Sequence, residues 1–156
     1  MAAYVAIIVP GDGATEDDRA DAREAGRRLA EAGHTIVTGG LGGVMEAAAE
    51  GAATVGGISV GLLPGMDRHD GAAAHTVLVP TGMGELRNGL VIRTADAVLC
   101  IGGSWGSLSE VALAVRTGRP VVALRGWPLP GDSVRTVPNV EAAVQAVLER
   151  LSSSGR

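Results

Sequence analysis

The chain of 156 residues has one cysteine, one tyrosine, two tryptophans and no phenylalanine. Cys100 has no partner for an intrachain disulfide, and its place inside an apolar run predicts a buried, structural thiol in a reducing compartment. With aromatics at 2%, stacking platforms for single-stranded nucleic acid are not expected. A basic excess is also missing: 13 Lys and Arg against 17 Asp and Glu leave a net charge of −4. That argues against a general nucleic-acid or anionic-membrane surface, while leaving room for a small anion held by local donors. No segment approaches the run of about 20 apolar residues that spans a bilayer. The amino-terminal stretch MAAYVAIIVPGDG lacks the basic region of a signal peptide, so a cytoplasmic protein is expected. His34, His69 and His75 lie far apart, without Cys or carboxylate companions at ligand spacing, and no metal site is predicted. There is no Gly-x-Ser-x-Gly elbow and no P-loop. Gly11-Asp12-Gly13 only half resembles a dinucleotide fingerprint, because Glu16 stands at the third glycine position.

What is abundant is small and aliphatic. Hydrophobic residues make up 46%, so the core must be built from Ala, Val, Leu and Ile. The 24 glycines are not periodic and gather at the ends of apolar runs, where loops turn tightly. Runs at 4–9, 34–38, 57–63, 75–79, 96–101 and 120–124 read as strands. Helical patterns fill 16–32, 44–53, 84–95, 107–117 and 140–151. The segments at 66–74 and 126–132 read as loop and connector. The strands are continuous apolar runs rather than alternating ones, so both faces of the sheet are covered. The expectation is a single α/β domain over residues 1–151, Rossmann-like and doubly wound, with a mainly parallel sheet, helices on both faces and a frayed tail at 152–156. Small-residue helix faces at Ala47–Ala49 and Ala112–Ala114 suit close helix packing, either between copies of the chain or on its own sheet.

Residues 100–120, CIGGSWGSLSEVALAVRTGRP, carry the chemistry. A strand feeds the loop Gly102, Gly103, Ser104, Trp105, Gly106, and a helix pattern opens at Ser107. Free N–H groups and the helix dipole make such a junction a phosphate site, and the serine hydroxyls add donors. Gly39, Gly40, Gly42 and Gly43 form a second loop after a strand; they either approach a ligand or permit close packing. Ser107-Leu108-Ser109-Glu110 also fits a Ser-x-x-Glu capping box. Glu110 is therefore either a cap or a carboxylate facing a bound sugar. Arg87 is either solvated or a bidentate phosphate ligand.

These stretches in their order, GRRLAEAGHTIVTGGLGGVMEAAAEGA, GGISVGLLPG, ELRNGLVIRTADAVLCIGG and GSLSE, resemble the Lonely Guy (LOG) family of the Rossmann-like SLOG group over roughly residues 5–124. LOG enzymes cleave the N-glycosidic bond of nucleoside 5′-monophosphates. The resemblance implies that Arg87 and Glu110 are catalytic. It implies that the two glycine loops, with Asn88, Ser104, Trp105 and Ser107, bind the phosphate-bearing ligand, that hydrolysis needs no cofactor, and that the chain forms a homodimer or higher homo-oligomer. Asn88 stands where that family has Lys, Ile101 replaces Pro, Ser107 replaces Thr, Ser109 replaces the first of two glutamates, and the loop has one extra residue. In these departures the chain looks more like the neighbouring molybdenum-cofactor carriers. The implied ligand is then a nucleotide or a molybdopterin-type cofactor, and the implied role either phosphoribohydrolase or non-catalytic carrier. No nucleic-acid or membrane partner is implied.

Overall fold

In the computed structural model, which describes residues 2–11 and 13–154, each of the six apolar runs becomes a strand. The order is β1 (Tyr4–Ile8), α1 (Glu16–Glu31), β2 (Thr35–Thr38), α2 (Val44–Ala53), β3 (Ser59–Leu63), β4 (Val77–Pro80), α3 (Arg87–Thr94), β5 (Ala97–Ile101), α4 (Trp105–Arg116), β6 (Val121–Leu124), β7 (Val134–Val137) and α5 (Val140–Ser154). Short 3₁₀ turns occupy Arg68–Asp70 and Gly84–Leu86. The seven strands form one sheet, β4-β3-β2-β1-β5-β6-β7, and every pairing is parallel. β1 lies at the centre, with Val5 opposite Ile36 on one side and Ala97 on the other. This is the expected Rossmann-like, doubly wound α/β fold.

Successive side chains of a strand point to opposite faces, and β1 divides accordingly. Val5, Ile7 and Val9 pack with α1, α2 and α5 through Leu29, Ala48 and Val144. Ala6 and Ile8 pack with α3 and α4 through Ile92 and Val111. Because these side chains are small, the helices come close. A Cβ on Gly26 of α1 would stand 2.1 Å from the Ala48 carbonyl oxygen of α2, and one on Gly51 would stand 1.9 Å from that of Arg23. Ala47, Ala48 and Ala49 are fully buried, so that face packs within its own chain. Ala114 is buried too, while Ala112 is exposed.

Most element ends shift by one or two residues from the sequence reading, and four differences go further. β7 pairs in parallel with β6 at the sheet edge, just past the expected connector. The 84–95 segment divides into a 3₁₀ turn and α3. α5 continues through Ser152 and Ser153 to Ser154, so these three are helical rather than frayed; Gly155 and Arg156 lie outside the described residues. α4 begins at Trp105, not Ser107, with Ser104 as its N-cap.

Candidate functional site

A parallel sheet opens a crevice at the carboxyl ends of neighbouring strands whose connections run in opposite directions, and here those strands are β1 and β5. A cleft of about 380 Å³ lies at that point. β1 and the residue after it contribute Ile7, Ile8 and Val9; the β2–α2 loop contributes Gly39 and Leu41; α3 and α4 contribute Arg87, Asn88, Gly106, Ser107 and Glu110. Six of the predicted site residues thus meet there: Gly39, Arg87, Asn88, Gly106, Ser107 and Glu110.

Arg87 is buried, 7% exposed. Its Nη1 donates to Asn88 Oδ1, the residue next to it. Its Nε has no partner among the described residues. Burial pulls its pKa below the ordinary arginine value, opposed by the negative charge of Glu110. A buried guanidinium with an unused N–H is costly unless an anion completes it. Gly39 makes room for it: a Cβ there would stand 2.6 Å from Nη2 and 2.9 Å from Nη1.

Glu110, 9% exposed, reaches the same cleft. Burial pushes its carboxyl up to about 7, even though Arg87 pulls the other way. Near neutral pH the acid is therefore only partly ionised, and the cationic charge of Arg87 is only partly offset. A carboxyl poised near 7 is also suited to proton transfer. Glu110 does not cap α4. The capping box is Ser104 with Ser107, so the capping interpretation of Glu110 falls away.

That box takes up the Ser104 and Ser107 N–H groups. The N–H groups of Trp105 and Gly106, in the first turn, have no partner inside the helix, and Gly106 lines the cleft. The first turn of α4 carries no acidic residue. By contrast α1 starts with Glu16, Asp17 and Asp18, and α2 carries Glu46 in its first turn. Of α1, α2 and α4, α4 has the most favourable end for an anion.

The remaining predicted residues serve the backbone or other surfaces. Gly40 (φ 79°) and Gly102 (φ 72°) take left-handed turns, packed against Leu63 and Pro10 respectively. Gly43 is the N-cap of α2, and Gly42 is exposed. Gly103 makes room for Trp127, whose ring would stand 2.9 Å from a Cβ there. Trp105 meets Trp127 edge-on at 4.9 Å and is 80% exposed. Trp105 faces an outer groove between α3 and α4 with Leu86, Ser109 and Leu113. Ser104 supports the helix start from behind the cleft, beside Cys100. Cys100 is buried, and burial pushes its thiol up to about 12, so it is no nucleophile at neutral pH. Glu85 and Met45, which sequence reasoning did not single out, also line the cleft. Glu85, two residues before Arg87 at the turn into α3, could have been found from that spacing; nothing marks Met45.

A sequence profile of the SLOG cluster4 family matches residues 2–152. The chain belongs to the SLOG cluster4 family. It is 38% identical over 119 residues to an uncharacterized protein of Archaeoglobus fulgidus, covering 76% of this chain and 78% of that one. Two solved structures share the fold across nearly their whole length. The molybdenum cofactor binding protein of Rippkaea orientalis superposes with a TM-score of 0.91 at 29% identity, covering 97% of this chain and 98% of its own. The molybdenum cofactor carrier protein of Chlamydomonas reinhardtii superposes with a TM-score of 0.88 at 29% identity, covering 96% and 99%. No helix among the described residues is long and apolar enough to cross a membrane, and no group of three or more His, Cys, Asp or Glu residues among them could hold a metal ion.

Proposed function

We propose that this protein binds a phosphate-bearing, nucleotide-like cofactor of the molybdopterin type in the cleft between β1 and β5, and acts as a carrier for it in the cytoplasm. The observation that carries this reading is Arg87: a buried cation with an unused N–H, beside a carboxyl that burial keeps partly protonated. In this reading the phosphate takes the Arg87 guanidinium and the Gly106 N–H at the start of α4. Asn88 braces Arg87, and the apolar floor of Ile7, Ile8 and Val9 takes the less polar part of the ligand. The likeness to two molybdenum-cofactor-binding structures supports the ligand class.

A second reading keeps the same binding mode and adds hydrolysis of a nucleoside 5′-monophosphate, which would need no cofactor. Glu110 favours it, since a carboxyl near pH 7 facing a bound ribose suits acid–base work. Against it stands Ser109, which is exposed, donates to the Gly106 carbonyl at 2.7 Å and supplies no second carboxylate. Incubation with AMP, with free adenine as readout, separates the two. Saturable binding of AMP or molybdopterin without release of any base supports the carrier. Adenine release that is lost in Glu110→Gln supports the hydrolase. Binding of neither ligand removes both.

Self-association belongs to the same proposal. Leu86 is 76% exposed at the outer groove, and Leu90 and Trp105 are exposed with it. A homodimer or higher homo-oligomer would cover them. Light scattering at micromolar concentration is expected to give at least twice the chain mass of 15.6 kDa; the mass of a single chain would count against it.

A further inference from the structure

Behind the cleft, the end of β2 holds a buried polar circuit that the binding proposal does not use. Thr38 is fully buried, and His75 is 6% exposed. Thr38 Oγ1 and His75 Nε2 are 2.7 Å apart, the Gly40 N–H donates to Thr38 Oγ1 at 2.9 Å, and His75 Nδ1 lies 3.1 Å from the Ala72 carbonyl oxygen. The Ala72 N–H donates back to the Gly40 carbonyl at 3.0 Å. A carbonyl only accepts, so His75 Nδ1 carries the proton. In the neutral ring Nε2 then accepts from the Thr38 hydroxyl. Burial holds the His75 pKa below its ordinary value and so favours this neutral form; Glu46 is the carboxylate that opposes the shift. β3 closes the packing, since a Cβ on Gly61 would stand 2.6 Å from Gly40 Cα and 3.1 Å from His75 Cδ2.

The peptide unit before Gly40 is Gly39, and the Arg87 guanidinium rests against it: the missing Cβ of Gly39 would lie 2.6, 2.8 and 2.9 Å from Nη2, Cζ and Nη1. Asn88 is the one hydrogen-bond partner of the Arg87 guanidinium among the described residues. Its placement therefore depends on the wall it leans against. We infer that His75 is a positioning residue for Arg87, acting through the Thr38 hydroxyl, which holds the Gly39–Gly40 backbone in the place that seats the guanidinium. A histidine that only filled space would lend stability to the core, and Arg87 would not respond to the hydrogen bond as such.

Four variants separate the two roles. Thr38→Val removes the hydroxyl and keeps the shape, while Thr38→Ser keeps the hydroxyl. His75→Gln keeps a polar atom near the Nε2 position, while His75→Asn keeps one only near Nδ1. The direct readout is the exchange rate of the Arg87 Nε–H with water in ¹⁵N NMR, assigned by its loss in Arg87→Lys; it needs no ligand. The second readout is AMP affinity by calorimetry, which rests on the proposed binding function. The third is the urea midpoint. Thr38→Val and His75→Asn are expected to speed Arg87 Nε–H exchange and weaken AMP binding, each about tenfold, whereas Thr38→Ser and His75→Gln stay within about threefold of the parent. Arg87 exchange in Thr38→Val equal to that of the parent overturns the inference. So do changes in all four variants that merely track their urea midpoints. Absence of AMP binding by the parent protein, with Arg87 exchange still following the hydroxyl, removes the binding reading and leaves the positioning role standing.

Discussion

Ser104 and Ser107 cap each other. The Ser104 hydroxyl accepts the Ser107 N–H at 3.2 Å, and the Ser107 hydroxyl accepts the Ser104 N–H at 2.7 Å. The box satisfies two backbone donors at the start of α4 with two short side chains. Ser107, 2% exposed, closes the cleft side of the turn. Since neither bond needs a carboxylate, Glu110 one turn later is left to the cleft.

Ser104→Ala and Ser107→Ala are each expected to cost about 1 kcal/mol of stability. The double variant should cost less than the sum, because each residue loses its partner in the first step. Urea denaturation checks this. Glu110→Gln measured at pH 8 should show no such loss; a loss larger than that of either serine variant would return Glu110 to a capping role.

Gly39→Ala tests the seat of Arg87. Gly39 is not in the left-handed region, so the new methyl group meets only the end of a flexible side chain. Thermal stability should fall by less than about 1 kcal/mol, the centre of the range for single substitutions. Binding of AMP should weaken by about 1.5–3 kcal/mol, the range for a hydrogen bond to a charged group, and Arg87→Ala should weaken it as much. In the Arg87→Ala background, Gly39→Ala should add nothing. Calorimetric titration of the three variants decides; additive losses would mean that the Gly39 backbone contacts the ligand by itself.

The fold could be read from the sequence because the strands are unbroken apolar runs ended by glycine, and α2 was found at its observed bounds, Val44–Ala53. β7 escaped because it is a four-residue edge strand with Arg135 and Thr136 exposed; its trace was Val-Arg-Thr-Val ahead of Pro138. The sequence pattern puts the start of α4 at Ser107 rather than Trp105, because Ser-x-x-Ser and Ser-x-x-Glu overlap at Ser107 and the glutamate pattern is the stronger signature. Seven of the predicted site residues lie off the cleft, and five of them are glycines. A glycine that turns the chain, as Gly40 and Gly102 do, has the same letter as one that admits a ligand. The His75 circuit had no local signal, since it joins residues 37 positions apart.

The helix pair α1–α2 provides a test in which packing and propensity oppose each other. Gly26→Ala or Gly51→Ala would gain up to about 1 kcal/mol of helix propensity. Each methyl group would instead meet a backbone carbonyl oxygen of the neighbouring helix, at 2.1 and 1.9 Å respectively. Neither backbone can give way without moving its helix, so a net loss of about 3 kcal/mol or more is expected, at the severe end for overpacking. Thermal unfolding of the two variants measures it, and a rise in Tm for either would show that α1 and α2 can separate freely.

Glu110 sets the pH behaviour of both the fold and the cleft. Its carboxyl holds a proton to about pH 7 in the folded chain, while the ordinary value is 4.5. Between those values the folded state binds more protons than the unfolded one. Stability therefore falls as pH rises through this window and levels off above it. At 1.36 kcal/mol per unit, the full effect is at most about 3–4 kcal/mol. Glu110→Gln removes it: the variant should match the parent near pH 4 and exceed it at pH 8, and the difference between the two curves cancels every other titrating group. Binding should follow the same proton. As pH falls from 8 to about 6.5, Glu110 becomes neutral, the charge of Arg87 is less offset, and affinity for AMP should rise. Below about pH 6 the phosphate itself gains a proton and the gain stops. Glu110→Gln should bind AMP at every pH in that range as the parent does at its lower end. An unchanged pH slope in Glu110→Gln would show that another group carries the proton, and the partly protonated carboxyl beside Arg87 would no longer account for anion binding in the cleft.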